Sequence, residues 1–355
     1  MVVSQVSLRS FRSYARLDLA LEPGVVLVVG PNGAGKTNLL ESLHVGTQGF
    51  SPRTRSDAQL IRFGDTAARV ALRGERAPGV PVALEVTLRA GQGKQGTLNG
   101  APLRAAEQLR AEVATLVFTP DRLAVVKGGP AVRRAYLDRA LGRIAPARAE
   151  LPALYAAAVG QRNAALRRAG LGLSTRDAVS PWTQQVASLG AELVEAREQA
   201  LAALRPAFAE RAGALGLGEA VLAYEGAAAT VAQLEARLDR DLERGATGLG
   251  PHLDDVRIAS GERDLRRFGS QGEQRLAVLA FLLAEADAIC ERRGVAPLLL
   301  LDDVLSELDP ARRRTLAAQV AVLGQAVITA TTTDALPVEP DQVVEVTPGE
   351  ARVAA

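Results

Sequence analysis

Residues 30–37 read GPNGAGKT. The stretch fits the pattern Gly, four residues, Gly-Lys-Thr, in which a glycine-rich turn wraps backbone amides around phosphate. Its surroundings suit that reading. Val25 to Val29 is a continuous apolar run, as expected of a strand buried on both faces. The residues from about Lys36 to His44 continue as a helix, whose N-terminus favours an anion. Gly33 and Gly35 let the backbone fold around the ligand, and Gly30, Pro31, Asn32, Ala34 and Asn38 complete the expected nucleotide cradle. Lys36 is expected to reach the β- and γ-phosphates of ATP and to assist catalysis. Thr37 is expected to ligate Mg²⁺.

A second stretch, LLLLDD at 298–303, complements the first. Four apolar strand residues would deliver two carboxylates to the carboxyl end of a parallel sheet, where ligands bind in α/β folds. Asp302 is then a Mg²⁺ ligand, directly or through water. Asp303 is the catalytic carboxylate that orients or deprotonates the attacking water. Alone, such an Asp pair would read as a turn or a helix cap; beside the phosphate loop it reads as catalytic.

The rest of the chain falls into three parts. Residues 2–8 and 16–21 alternate polar and apolar, and 69–72, 81–89 and 115–118 read as further strands. Asn99-Gly100 is a hairpin signal. From 121 to 244 the sequence turns rich in the helix formers Ala, Leu, Arg and Glu. There Trp182, Val186, Leu189, Leu193, Ala196, Ala200 and Ala203 form an apolar seam of alternating four- and three-residue spacing, expected to end at Pro206. The last third returns to helix (274–290), strand (298–301), helix (310–323) and strand (326–329), with a small edge strand or disorder after Pro337. The expected architecture is α/β: residues 1–120 and 246–355 form one head built from both termini, and residues 121–245 are an inserted helical arm. This arm is too short for a long coiled coil and reads either as a packing domain or as a protrusion for DNA or a partner.

Composition excludes several classes. The 355 residues carry 42 Lys plus Arg against 40 Asp plus Glu, a net charge of +2. That is too balanced for a tail-driven nucleic-acid binder. Three of the 42 are lysines (Lys36, Lys94 and Lys127) and 39 are arginines. A GC-rich genome is the plain reading of that excess, although arginines in the insert such as Arg133, Arg134, Arg162, Arg167 and Arg168 could meet phosphates. One cysteine, Cys290, rules out an internal disulfide framework, and on its apolar helix it is expected in the core. His44 and His252 are too few for histidine-based metal or triad chemistry. His252, before Asp254 and Asp255, is expected in a structural loop. No signal-peptide core and no apolar run of membrane-spanning length occurs, so a cytoplasmic protein is expected.

Two further motifs separate the phosphate-loop classes. Ser270, Gln271, Gly272 and Glu273 precede a helix and supply a hydroxyl and amides for an anion, though Ser270 with Glu273 is also a capping box. Residues 306–309, Ser-Glu-Leu-Asp, follow the second carboxylate, with Asp309 and Pro310 suited to cap and start a helix. In this order the motifs resemble the ATP-binding-cassette ATPases: residues 30–37 as Walker A, 270–273 as signature, 298–303 as Walker B and 306–309 as D-loop. The resemblance implies a head-to-tail dimer in which Ser270, with Gly272 and Glu273, meets nucleotide held by the other copy.

Some 233 residues separate Lys36 from Gly269. Transporter ATPases have a shorter insert, and SMC-like chromosome proteins a far longer one. The length resembles the RecF family of recombination-repair ATPases. LRSFRSY at 8–14, with Ser10 and Ser13 where that family has asparagines, is similar to its N-terminal motif. Residues 119–138, 161–167 and GPHLDD at 250–255 also resemble RecF segments. The signature departs from the usual form, with Phe-Gly before Ser270 and Gln271 after it, and Asp303 stands where many cassette ATPases have Glu. Residues 329–334 lack the transporter switch histidine, and Thr331 or Thr332 is expected in its place. Arg12 reads either as a nucleotide clamp, as in related heads, or as a surface residue. The resemblance implies a weak DNA-dependent ATPase with a switch role. It also implies binding to double-stranded DNA and single-strand/double-strand junctions, ATP-dependent homodimers, recombinase loading at gaps and the partners RecR and RecO. A membrane-transporter ATPase subunit and a structural chromosome protein without appreciable hydrolysis are the alternatives.

Overall fold

Val25–Val29 forms a strand with all five residues buried. In the computed structural model, which describes residues 1–354, this strand is interior to a six-stranded sheet. The sheet order is Glu350–Val353, Gln342–Thr347, Val25–Val29, Ala326–Ala330, Leu298–Leu301, Thr115–Phe118. Every neighbouring pair is parallel except the terminal hairpin 342–353. The registers Ala330↔Val29 and Leu301↔Ile328 bring three carboxyl ends side by side. The strand from the tail is a correction to the sequence reading: Gln342–Thr347 pairs directly with the phosphate-loop strand, and only Glu350–Val353 is an edge. Its buried Val344 and Val346 reflect a pairing partner more than 300 residues away, which no local signal reports.

A second six-stranded sheet is antiparallel, in the order Tyr14–Ala20, Val2–Phe11, Ala67–Ala77, Val80–Arg89, Gln95–Leu98, Ala101–Pro102. The hairpin at Asn99-Gly100 has both residues at positive φ (50° and 81°), the geometry of the turn expected there. Helix Lys36–Gln48 has every residue from Leu39 to Gln48 buried, as a helix must when apolar surface lies around most of it. At Leu39, Leu40 and Leu43, complete burial contributes roughly 1.5–3 kcal/mol each. This helix therefore holds the phosphate loop against a rigid base.

The chain divides into two compact units. The first comprises Met1–Arg122, Ala214–Gly216 and the residues from Leu282 onward; the second comprises Leu123–Gly213 and Leu217–Phe281. The division after residue 245 expected from the sequence is thus displaced to Phe281. The reason is a strand inside the stretch read as all helix. Ala220–Glu225 pairs with Asp255–Ser260, which pairs with Arg263–Asp264, making a three-stranded antiparallel sheet within the second unit. Helix Gln271–Arg293 begins in the second unit and ends in the first.

The second unit is built on helices Pro130–Ile144, Leu151–Gly170 and Ser180–Ala214. Of the apolar seam, Val186, Leu193, Ala196 and Ala200 are buried, and Trp182, Leu189 and Ala203 are half-buried. The helix does not end at Pro206 but runs through it to Ala214. Pro206 and Ala202, whose carbonyl loses its donor, are both exposed, so water replaces the missing bond. Cys290 is half-buried rather than in the core. Among the described residues no helix is long and apolar enough to cross a membrane.

Candidate functional site

The phosphate loop links the buried strand to helix Lys36–Gln48. Gly33 and Gly35 adopt φ of 81° and 117°, conformations that side chains rarely tolerate. The loop is closed by its own lysine: Lys36 Nζ donates to Gly30 O at 2.6 Å and to Pro31 O at 3.0 Å. Burial holds the Lys36 ammonium below the ordinary lysine range, against the opposing pull of Asp302 and Asp303. Tyr14 Oη donates to Gly35 O at 3.0 Å from behind the loop, and Asn38 Nδ2 donates to Ser13 Oγ at 3.0 Å.

Asp302 follows the strand Leu298–Leu301 and is 7% exposed. Two hydroxyls donate to its Oδ1: Thr37 Oγ1 at 3.1 Å and Thr329 Oγ1 at 2.8 Å. Burial pushes the Asp302 carboxyl above the usual carboxylate range. The two hydroxyl bonds and the charge of Arg53 oppose that shift, and Asp303 adds to it. No arginine or lysine among the described residues forms an ion pair with Asp302. Asp303 is exposed and sits at φ 50°, an uncommon conformation for a residue with a Cβ. The structure thus places Thr37 on Asp302 and Lys36 within electrostatic reach of Asp302 and Asp303. The donor set also suits a Mg²⁺-nucleotide. It has an ammonium and turned-in amides for phosphate, with a hydroxyl and a buried carboxylate lacking a cation for the metal.

Beside this cluster lies a cavity of about 380 Å³ lined by Asp303, Ser306, Arg313, Thr329, Thr331 and Thr332, among others. The segment expected to supply the switch residue therefore borders the second carboxylate. The threonine of this segment that contacts the aspartates, however, is Thr329, through the Asp302 carboxylate and the Asp303 amide; sequence reasoning passed over it as the end of a strand. The D-loop stretch takes the capping form foreseen for it: Asp309 Oδ1 accepts from the amides of Ala311 and Arg312 at 3.0 and 2.9 Å, with Pro310 at the first helical position.

Arg12 lies in the turn between the first two strands, at φ 52°. Its guanidinium forks onto the fully buried Glu41, Nε to Oε2 and Nη2 to Oε1, both at 2.9 Å, and Nη1 reaches Gln59 O at 2.8 Å. Arg53 and Ser51 also donate to Glu41. This network ties the turn to the phosphate-loop helix. It was not legible in advance, because Glu41 reads as an ordinary helix residue.

Ser270, Gly272 and Glu273 belong to the second unit. Ser270 and Glu273 form the reciprocal capping box: Ser270 N donates to Glu273 Oε2 at 2.8 Å and Glu273 N to Ser270 Oγ at 3.2 Å. Arg263 donates to the other Glu273 oxygen at 2.8 Å. Chiefly through Arg263, then through Ser270, the Glu273 carboxyl is held down to about 2. Glu273 serves its own helix, while Ser270, Gln271 and Gly272 are exposed.

The arginines proposed as phosphate contacts divide sharply. Arg162 is fully buried, bonded to Asp241, Thr183 and Thr247. Arg133 forks onto Asp255 at 2.7 Å on both arms, and Arg134 donates to Asp254 O. Arg133 and Arg162 are therefore internal struts and not surface groups; Arg167 and Arg168 are exposed. His252 bonds Tyr155 at 2.8 Å and Thr247 O at 3.0 Å, so it holds a loop. No cluster of three or more His, Cys, Asp or Glu placed to hold a metal ion occurs among the described residues.

A glycine-rich phosphate loop, a buried aspartate two strands away and a head assembled from both ends of the chain define an ATPase head of the ATP-binding-cassette class. The family model described as RecF/RecN/SMC N terminal domain matches residues 2–354. A DNA replication and repair protein RecF of Anaeromyxobacter dehalogenans is 39% identical over 96% of this chain and 94% of that protein. Another of the same name, from Heliobacterium modesticaldum, is 35% identical over 90% and 89%. The structure of the recombination mediator protein RecF with ATP, in the RecFOR pathway, superposes with a TM-score of 0.88 at 26% identity, covering 99% of this chain and 97% of that one. An Smc head bound to the C-terminal winged-helix domain of ScpA shares the fold, at a TM-score of 0.61 and 18% identity. The chain belongs to the RecF/RecN/SMC family and, within it, to the RecF proteins.

Proposed function

We propose that this protein is an ATP-dependent DNA-binding clamp of recombinational repair. ATP drives a homodimer that binds double-stranded DNA, at single-strand/double-strand junctions bordering gaps, and aids recombinase loading with RecR and RecO. The observation that carries the nucleotide half is the meeting of Thr37 and Thr329 on the buried Asp302. The repair half rests on kinship with proteins named for that role.

Within this reading the amides of residues 30–37 and Lys36 hold the phosphates, and Thr37 and Asp302 hold Mg²⁺. When bound, Mg²⁺-ATP supplies an activated phosphoryl group for transfer to water. Lys36 would exchange its carbonyl partners for phosphate oxygens, which accept more strongly. The Asp303 carboxylate accepts the proton of the attacking water. Ser270 of one copy contacts the nucleotide held by the other, and Gly272 leaves room for that approach. Arg12, braced by Glu41 beside the phosphate-loop helix, would help clamp the nucleotide. Hydrolysis is slow and resets the dimer. DNA contact falls to exposed arginines such as Arg167 and Arg168, and phosphate contacts of this kind weaken as salt rises. The protein works in the cytoplasm, at the nucleoid.

Sedimentation with ATP, with ADP and without nucleotide, each with and without gapped DNA, tests this. Dimers with ATP alone and tighter DNA binding in ATP are expected. Ser270→Arg should abolish the dimer while sparing nucleotide binding. A Ser270→Arg protein that still dimerises with ATP would remove the sandwich arrangement.

A further inference from the structure

The strand Ala326–Ala330 lies between the phosphate-loop strand and the strand that carries the two aspartates. Thr329 is on this intervening strand, paired in register with Val28, and is 1% exposed. A hydroxyl buried to this degree must find partners. Thr329 Oγ1 finds two, one on each aspartate. It donates to Asp302 Oδ1 at 2.8 Å and accepts the backbone N–H of Asp303 at 2.9 Å. The second bond matters because of the local backbone. Asp303 lies two residues beyond the strand Leu298–Leu301, at φ 50°, and its amide bonds a side chain in place of a neighbouring strand. Thr329 Oγ1 satisfies that amide and Ser306 Oγ donates to the Asp303 carbonyl at 3.2 Å, so an unfavourable backbone is held by a side chain at each end.

We propose that Thr329 is the positioning residue of this site, fixing the metal-binding and the water-activating carboxylate with one hydroxyl. The inference rests on the reading of Asp302 and Asp303 as the Mg²⁺-ATP pair. Its chemistry is specific. The hydroxyl has one hydrogen, and that hydrogen goes to Asp302. Donation from Thr329 and Thr37 onto the same oxygen sets the rotation of the Asp302 carboxyl group. The oxygen lone pairs of Thr329 set where Asp303 begins, and hence where its carboxylate stands. A valine fills the same space with the same branching and does neither. A serine does both.

The test compares the full-length chain with Thr329→Ser and Thr329→Val, with Thr329→Ala standing in should Thr329→Val not fold. Two readouts are needed: affinity for a fluorescent ATP analogue with and without Mg²⁺, and kcat and KM of hydrolysis across a Mg²⁺ titration. Removal of the hydroxyl should lower kcat about 10- to 100-fold and raise the Mg²⁺ concentration for half-maximal binding, as loss of partners to metal-binding groups does. Nucleotide affinity without Mg²⁺ should change by less than about threefold, since the phosphate-binding amides and Lys36 are intact. Thr329→Ser should stay close to the parent on both readouts. Three outcomes overturn the proposal: Thr329→Val matching the parent, Thr329→Ser failing as badly as Thr329→Val, or affinity falling equally with and without Mg²⁺. A parent chain with no Mg²⁺-dependent ATP binding would instead overturn the nucleotide reading itself, and this inference with it.

Discussion

Asp302 in the first unit and Asp241 in the second are both buried carboxylates, but their surroundings differ. Asp241 is 0% exposed and faces Arg162, also 0% exposed, at 2.8 Å. Asp302 accepts from two hydroxyls and forms no ion pair among the described residues, while the charges of Lys36 and Arg53 act on it from a longer range. Ionising a carboxylate away from water is costly unless a positive charge accompanies it. The second unit supplies that charge from its own chain. The first gives Asp302 hydroxyl donors in place of a paired charge. The contrast separates an aspartate paired with a charge inside the fold from one that is not, although both are buried.

The largest effect should come from splitting the pair. Arg162→Ala removes the buried partner of Asp241, leaving it the Gly248 amide and the longer contact with Arg237, and should cost about 3–5 kcal/mol in denaturant unfolding. A loss below about 1 kcal/mol would mean that Asp241 is compensated by its other partners, and the contrast with Asp302 would collapse. Asp302→Asn should behave in the opposite way. It removes a charge that burial disfavours, so folding stability should be unchanged or raised by up to about 1 kcal/mol, while Mg²⁺-dependent nucleotide binding falls.

The pH dependence sharpens the same point. With its folded-state value raised, Asp302 contributes stability that is present below the ordinary carboxylate value. That stability is lost as pH rises through the folded value. Stability of Asp302→Asn should therefore decline less than that of the parent between acid and neutral pH, as read by thermal melts without nucleotide. Saturating Mg²⁺-ATP should narrow the difference.

The smallest effect is expected at a half-buried surface carboxylate. Glu273→Gln keeps an acceptor for the Ser270 amide and loses the charge and the surface bond to Arg263, so stability should fall by less than about 1 kcal/mol. Because the Glu273 value is lowered to about 2, what the charge adds is present above the ordinary carboxylate value and disappears as pH falls toward 2. A larger effect would show that surface and buried carboxylates of this protein cannot be ranked by burial.

What the sequence disclosed and withheld follows from range. The strand, phosphate loop and helix at 25–48 were legible because each signal acts on its neighbours: an apolar run, glycines at the turn, a lysine among few. The paired aspartates and the Asn99-Gly100 hairpin were legible for the same reason. The strand Ala220–Glu225 was missed because helix-forming neighbours outweighed the short alternation of Ala220, Leu222 and Tyr224. That miss placed the domain boundary some 36 residues too early, at 245 instead of Phe281. Thr329 was missed as a site residue because its importance lies in contacts with the next strand. The insert arginines were misjudged for a related reason: a count of charges does not tell which have acids waiting for them inside, as Arg133 and Arg162 do.

The sheet order carries a consequence for biosynthesis. The phosphate-loop strand is flanked by Ala326–Ala330 and Gln342–Thr347, both translated close to 300 residues after it. A nascent chain that has already exposed residues 25–37 outside the ribosome cannot seat that strand between its neighbours. It must wait while the whole second unit is made. The apolar run 25–29 is then an unpaired strand for most of translation, at synthesis rates of about 5–20 residues per second. Chaperones should find it there, and chains released before residue 347 should be unable to form the nucleotide site, however complete their phosphate loop.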